Sequence, residues 1–423
     1  MPNASASSTA SAQRPPVARR LALGGLAALT LVNLLNYLDR YVISALLPDL
    51  ARERMGLTDF RLGTLMTGFF IVYMLVAPLF GVLGDRRSRT GVIAFGVLIW
   101  SFATALSGFA RSYLHLLIGR ALVGVGEAAY GTISPALLAD YFPLQARGRV
   151  FAIFYMAIPV GSALGYIVGG LMDHAYGWRA AFFVAGAPGL ALAAWVWRLP
   201  DPPRGVQEQA TFPAAVVAGP SVYWSLLKRV PYMLTVLGYA AYTFAVGGLA
   251  FWMPTFLERV RGVPDTQATT GFGAIVVVTG FLGTFAGGWL GDYWLKFSRE
   301  AYFWLSALTA LLAVPFAVVA LSAQAPAMYY PATVAAELLL FMSTGPLNSA
   351  IVNLVAPGER ASAVALSVFI IHLLGDVISP PLIGALSDVA SLATAVLIVP
   401  GAIAVCGVLW VAAGRAARAT SPG

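Results

Sequence analysis

The sequence predicts an all-α membrane protein with twelve transmembrane helices in two six-helix halves. Three observations predict it. Of 423 residues, 59% are hydrophobic and only 10% are charged, where a soluble domain carries about 25% charged residues. Apolar runs of bilayer-crossing length recur about twelve times along the chain. A polar, proline-rich stretch at residues 199–230 divides those runs six and six.

In chain order, residues 1–20 are rich in Ser, Ala and Pro and read as a disordered cytoplasmic N-terminus. The first half, 21–198, carries apolar runs at 21–48, 59–84, 90–109, 112–140, 146–173 and 179–198. The run at 21–48 is too long for the core of a signal peptide and lacks a small-residue cleavage site, so it reads as the first span. Residues 199–230 form a cytoplasmic linker that closes with the amphipathic "VYWSLLKRV", a candidate surface helix. The second half, 231–414, carries runs at 231–257, 267–291, 300–322, 328–354, 361–387 and 391–413. Residues 415–423 read as a cytoplasmic tail.

The formal charge of +8 does not point to nucleic acid, because the arginines are scattered singly and in pairs between apolar runs. They follow a topological pattern instead. Arg14, Arg19, Arg20, Arg86, Arg87, Arg89, Arg147, Arg149, Lys228, Arg229, Lys296, Arg299, Arg360, Arg415 and Arg418 lie at the termini or in even-numbered connections. By the positive-inside rule both termini face the cytoplasm. Arginine supplies all but Lys228 and Lys296 of the basic residues, a bias common in GC-rich bacterial genomes, so a bacterial inner membrane is expected. The single Cys406 lies in the last apolar run and has no internal disulfide partner.

The halves look related. The second span ends in "GVLGDRRSR" and the eighth in "GGWLGDYWLK", which places Asp85 and Asp292 at matching helix ends. Asp173 and Asp388 end the fifth and eleventh spans at a nearly equal offset. Such duplication is how many secondary transporters are built. Gly161, Gly165 and Gly169 repeat at four, as do Gly283, Gly287 and Gly291; faces of this kind let backbones approach closely, within a half or between sliding halves.

"NYLDRYVIS" places Asp39 and Arg40 inside the first span. Asp39 lies ten residues before Asp49, roughly 15 Å from that end. Arg120, in the oppositely directed fourth span, falls at nearly the same depth, and Glu127 lies two turns further on the same face, with Gly124 clearing space between them. Each charge at the bilayer centre costs at least ~2.5–3.5 kcal/mol on insertion scales, so four together imply a function or a fixed ion cluster. Acids there can titrate, an adjacent arginine alters their proton affinity, and arginine itself stays charged and able to hold an anion.

The second half offers fewer polar groups. His372 and Asp376 stand four apart on the eleventh span, as a relay or a satisfied pair, and the tenth carries Glu337, Asn348 and Asn353. Tyr239 and Tyr242 lie near one turn apart in the seventh span. With Asn36, Tyr37, Tyr130, Phe341, Asn348, His372 and Asp376 they are candidate cavity residues. A charged first half facing a greasier second half suits a ligand with a polar head and an apolar body. Asp85 and Asp292, with Arg86 and Arg89, are candidates for a cytoplasmic latch, since an acid there can dock on a helix N-terminus of the other half. An enzyme gains little support: HExxH, GxSxG and the P-loop pattern are missing, and the one HxxxD lies inside a helix. A receptor without turnover does not account for twelve spans, an apparent duplication and buried acids.

Specific motifs carry a resemblance. "GVLGDRRSR" resembles the loop signature of the major facilitator superfamily, and "GRALVGVGEAAY" its fourth-helix signature. "NYLDRYVIS", "GVGEAAYGTISPALLADYFP" and "RGRVFAIFYMAIPVGSALGYIVGG" are similar to the Spinster family of lipid transporters, densely over residues 33–178. The resemblance implies two six-helix bundles that rock around a central cavity to move lysophospholipid or sphingosine-1-phosphate-like lipids, driven by the proton gradient and without a cofactor or metal. It implies Asp39 and Glu127 as proton sites, Arg40 and Arg120 as their partners or head-group ligands, and Asp85, Arg86 and Arg89 as the latch. Ser88 stands where the superfamily pattern usually has Gly, and Tyr293 replaces the Arg after Asp292, which weakens the second latch. The alternative is a proton-coupled symporter of small organic anions, whose branch shares the first-helix motif. The expected partners are lipid, protons and the bilayer, with the chain acting as a monomer.

Overall fold

The computed structural model describes residues 18–53, 55–204, 220–355 and 359–420. Helices α1 (Arg19–Arg52), α2 (Asp59–Arg86), α3 (Arg89–Ser107), α4 (Tyr113–Tyr141), α5 (Leu144–Tyr176) and α6 (Trp178–Trp197) make the first half. Helix α7 (Pro220–Lys228) closes the linker. The second half comprises α8 (Val230–Arg259), α9 (Asp265–Trp294), α10 (Ala301–Ser322), α11 (Pro326–Phe341), α12 (Thr344–Asn353), α13 (Arg360–Ile371), α14 (Ser379–Val389), α15 (Leu392–Ala395) and α16 (Ile398–Thr420). Among the described residues, twelve stretches are long and apolar enough to cross a membrane. A helix is the form that satisfies every backbone polar group within such a segment. Where helices restart, hydroxyls take orphan amides: Thr58, Ser88, Ser112 and Ser391 accept from Arg61, Gly91, His115 and Thr394.

Three expected spans are less regular than the sequence reading. The tenth breaks after Phe341, and the Ser343 hydroxyl at the break pairs with Thr309 at 3.0 Å. The eleventh is interrupted by a π-helical turn, His372–Asp376, between α13 and α14. The last helix continues to Thr420, through a stretch read as tail, because its alanines and arginines are strong helix formers.

Within the first half α1 packs on α5, α2 on α4, and α3 on α4 and α6; within the second, α8 and α10 pack on α16, and α10 on α11. Both glycine stripes serve these internal contacts, so the reading of them as sliding surfaces between halves is corrected. Gly161 and Gly165 lie against the Leu34 and Leu38 carbonyls of α1, and Gly283 and Gly287 against the backbone at Leu338 and Met342.

The halves meet elsewhere, chiefly through α2 with α14, α5 with α9 and α1 with α8. These contacts gather toward the face opposite the linker. Tyr166 donates to the Ala250 carbonyl at 2.5 Å, and Thr67 to the Val377 carbonyl at 2.7 Å. The Asp388 carboxylate accepts from the Asp59 and Phe60 amides at 2.8 and 2.9 Å, which caps α2 across the boundary between halves. Arg259 pairs with Asp59 at 2.7 Å, and Arg52 with Glu258. Toward the linker face the interface helices are highly exposed: Leu75 and Leu79 of α2 at 70% and 68%, Phe285 and Trp289 of α9 at 73% and 65%. The molecule is closed on the face opposite the linker.

Gly63 sits where this closure is tightest, since a Cβ there would run into the Pro380 carbonyl. Backbone cannot rotate away as a side chain can. Gly63→Ala is therefore expected to shift the population toward opening on that face, read as faster labelling of engineered cysteines at the interface. Labelling at the wild-type rate would mean that the contact does not hold the gate.

Candidate functional site

Asp39 and Arg40 are consecutive on a helix, so their side chains leave about 100° apart. Arg40 reaches Glu127 of α4 as an ion pair of 2.8 Å, with the two side chains 12% and 0% exposed. Its guanidinium also lies 4.8, 5.0 and 5.6 Å from the rings of Tyr37, Phe69 and Phe70. Asp39 turns the other way, is buried, and accepts from the Thr104 hydroxyl of α3 at 2.6 Å. Arg120 donates to the Asp39 backbone carbonyl at 3.3 Å and lies 5.1 Å from the Phe69 ring. Phe69 is thus shared by both guanidiniums, each gaining cation–π attraction in a desolvated setting.

The four charges meet as the depth argument expects, with Asn36 alongside Glu127. Their pairing is more specific: Arg40 takes Glu127, and Arg120 touches the backbone of Asp39. One oxygen of Asp39 and two nitrogens of Arg120 are buried without a hydrogen-bond partner. Such groups are costly to leave so, which makes the cluster sensitive to small rearrangements. Thr104 was missed, since one threonine in an apolar run carries no sequence signal.

Tyr130 does not line the cavity. It is buried between Trp100 and Phe154, its hydroxyl donating to the Leu29 carbonyl, so its role is to pack α4 on α1.

In the second half His372 Nδ1 and Asp376 Oδ2 lie 2.6 Å apart on the π-helical turn. The His372 ring stacks on Phe70 of α2, with centroids 5.2 Å apart and planes at 25°. A continuous series, Glu127–Arg40–Phe70–His372–Asp376, therefore joins the halves. Turns of this kind are frequent at functional sites. The Tyr239 and Tyr242 rings lie 5.7 Å apart, tilted by 57°, and Tyr242 is buried against Trp410. Asn348 is exposed and donates to the Thr344 carbonyl; Phe341 is half-buried beside Gly280. Glu337, read from sequence without a role, is buried beside Leu249, Met253 and Thr333 and lies within electrostatic range of Tyr41 and Tyr166 of the first half.

The latch residues do not join the halves through the contacts described. Arg89 is buried at the start of α3 and binds Asp140, Asp201 and the Pro202 carbonyl, which fastens the linker's first residues to its own half. Asp292 accepts from Tyr302 at 2.8 Å, also within its own half. Arg86 is exposed, and the Asp85 side chain lies outside the described residues. With the linker face apart, Arg89 and Asp292 turn to neighbours in their own half.

Residues 29–375 match the family described as Major Facilitator Superfamily. The chain is 36% identical over 377 residues to Protein spinster homolog 1 of Xenopus laevis, covering 84% of this chain and 71% of that one. To the Homo sapiens protein of the same name it is 36% identical over 388 residues, covering 86% and 72%. A solved bacterial homolog of the human lysosomal transporter Spinster, in an inward-facing and unoccupied conformation, superposes with a TM-score of 0.88 at 23% identity, covering 96% of this chain and all of the other.

Proposed function

This chain belongs to the Spinster family of the major facilitator superfamily and is a membrane transporter, not an enzyme; we propose that its cargo is an amphipathic anionic lipid and that protons drive it. The linker face, with both termini, is assigned to the cytoplasm, which makes the present conformation inward-facing. One observation carries the reading: the sealed Arg40–Glu127 pair lies at mid-span and reaches the other half through Phe70 and His372.

The cycle turns on which acid holds a proton. A proton on Glu127 neutralises Arg40's partner, and the guanidinium, which cannot release its own proton, becomes available to an anionic head group. A proton on Asp39 likewise removes the negative charge nearest Arg120, whose guanidinium stays bound to the Asp39 backbone carbonyl. The apolar surface around Tyr239 and Phe341 receives the acyl body, while His372, held by Asp376, meets the head group from the second half. Lysophospholipid and sphingosine-1-phosphate-like lipids fit this division of polar and apolar contacts.

The test is transport of a labelled lysophospholipid in proteoliposomes, with and without an imposed pH gradient, beside a short-chain organic anion. Gradient-dependent movement of the lipid alone supports the proposal. Movement of the small anion alone moves the protein to the alternative, a proton-coupled symporter of small organic anions. The doubly substituted Asp39→Asn, Glu127→Gln protein is expected to lose gradient-driven accumulation at least tenfold, with its fold intact. Full accumulation by that variant would exclude these acids as the coupling sites.

A further inference from the structure

A second group of acids gathers where the halves close, far from the central charges and unused in the cycle above. From the first half come Asp49 of α1 and Asp173 of α5; from the second come Glu258 of α8 and Asp265 of α9. Asp173 is 95% buried, and no donor reaches either of its carboxyl oxygens. The neighbouring acid with which it interacts is Asp49, and both line one cavity. Asp265 also buries an oxygen without a donor, as does Glu258.

The nearby cations are already engaged. Arg52 binds Asp49 and Glu258; Arg259 binds Asp59 at the start of α2. Arg179 of α6 binds Glu53 at 3.0 Å. Hydrogen bonds from Trp178 and from Arg179 hold Glu53 below its ordinary carboxylate range, so it remains an anion and adds to the negative charge. His174 is the remaining titratable neighbour, within electrostatic range of Asp265. A cavity of about 520 Å³ lined by Asp49, Arg52, Glu53, Asp173 and Trp178 connects the group to the aqueous phase on that face. One turn away α5 and α9 touch so closely that a Cβ on Gly170 would overlap Thr269. Closing the halves therefore brings Glu258 and Asp265 of the second half up to Asp49 and Asp173, which already sit together in the first.

We propose that Asp49 and Asp173 share one proton in the closed state, making the gate on the face opposite the linker a pH-sensitive lock separate from the central Asp39 and Glu127 sites. Asp173 carries the proton and donates it to the Asp49 carboxylate, whose charge Arg52 balances. A carboxyl as buried as that of Asp173, with no donor to it, cannot otherwise satisfy its oxygens. Opening wets Asp173 as well and lets its proton leave through the cavity. The closed state then binds one proton more than the open state, so raising the pH on that face favours opening.

The inference does not depend on the cargo or on the central acids, and its test removes them. The full chain, with Asp39→Asn, Glu127→Gln and Cys406→Ala, is spin-labelled at Tyr176 and Gln267, both exposed, and placed in nanodiscs. Distances across the gate are measured from mildly acidic to mildly basic pH. The open population is expected to rise several-fold toward the basic end. Asp173→Asn, whose amide mimics the protonated acid, is expected to keep the gate closed throughout. Asp49→Asn, which retains a hydrogen-bonding partner for Asp173, is expected to move the transition and provides a second variant if the first does not fold. A gate with no pH response in this background, or one whose response survives both substitutions, overturns the proposal.

Discussion

Replacing Arg40 with alanine is expected to destabilise the protein by on the order of 3–5 kcal/mol and to abolish transport, since it strands a buried carboxylate. Glu127 is fully buried and its ion partner is Arg40, at 2.8 Å. The same substitution removes the cation from beside Tyr37, Phe69 and Phe70. Thermal unfolding in detergent should show a large fall in Tm. Adding Glu127→Gln to Arg40→Ala should recover most of that loss, because the stranded charge disappears, yet should leave gradient-driven accumulation absent. Recovery of stability without recovery of transport separates a structural ion pair from a working one. If Arg40→Ala unfolds near the wild-type temperature, Glu127 has another way to shed its charge and the pair is not the site's organising contact.

Arg89→Ala is the second large effect, and it concerns assembly of the linker face. Arg89 is 3% exposed and holds Asp140, Asp201 and the Pro202 carbonyl together. Its loss removes charge-assisted hydrogen bonds to Asp140, Asp201 and the Pro202 carbonyl, each worth on the order of 1.5–3 kcal/mol. Arg89→Lys should recover only part, since an ammonium cannot reproduce the guanidinium's fork of donors. Limited proteolysis near Asp201 should accelerate sharply in the alanine variant. Cleavage at the wild-type rate would show that the linker is held by other contacts, such as Arg204 to the Gly84 and Arg87 carbonyls.

The kinds of evidence legible in the chain differ in range. Composition and span length specify the solvent, and the solvent leaves helix as the form for each run, so the membrane fold follows from local sequence. Asp39, Arg40, Arg120 and Glu127 stood out because a charge inside a long apolar run is rare, and depth along a helix is simple arithmetic at 1.5 Å per residue. Which arginine meets which acid is a matter of rotation about two helix axes, and that angle is absent from a one-dimensional pattern. Thr104, Phe69 and Phe70 escaped for a related reason: an ordinary residue becomes part of the site only through what stands opposite.

Glycine stripes show the same limit. Their spacing announces close approach, and the sequence does not say to which helix; the tertiary structure turns them inward within each half and gives the boundary between halves to Gly63, Gly170 and Gly384. Tyr130 read as a ligand because tyrosine suits one, and packing against Trp100 and Phe154 made it core. The latch residues read as a clasp, but a clasp depends on which face is shut. By itself the sequence determined the solvent, the spans and the charged residues, because hydrophobicity and helical rise act residue by residue. Only the tertiary structure decided the pairings, the closed face and the clustered acids at that gate, because those depend on helices far apart in the chain packing at particular angles.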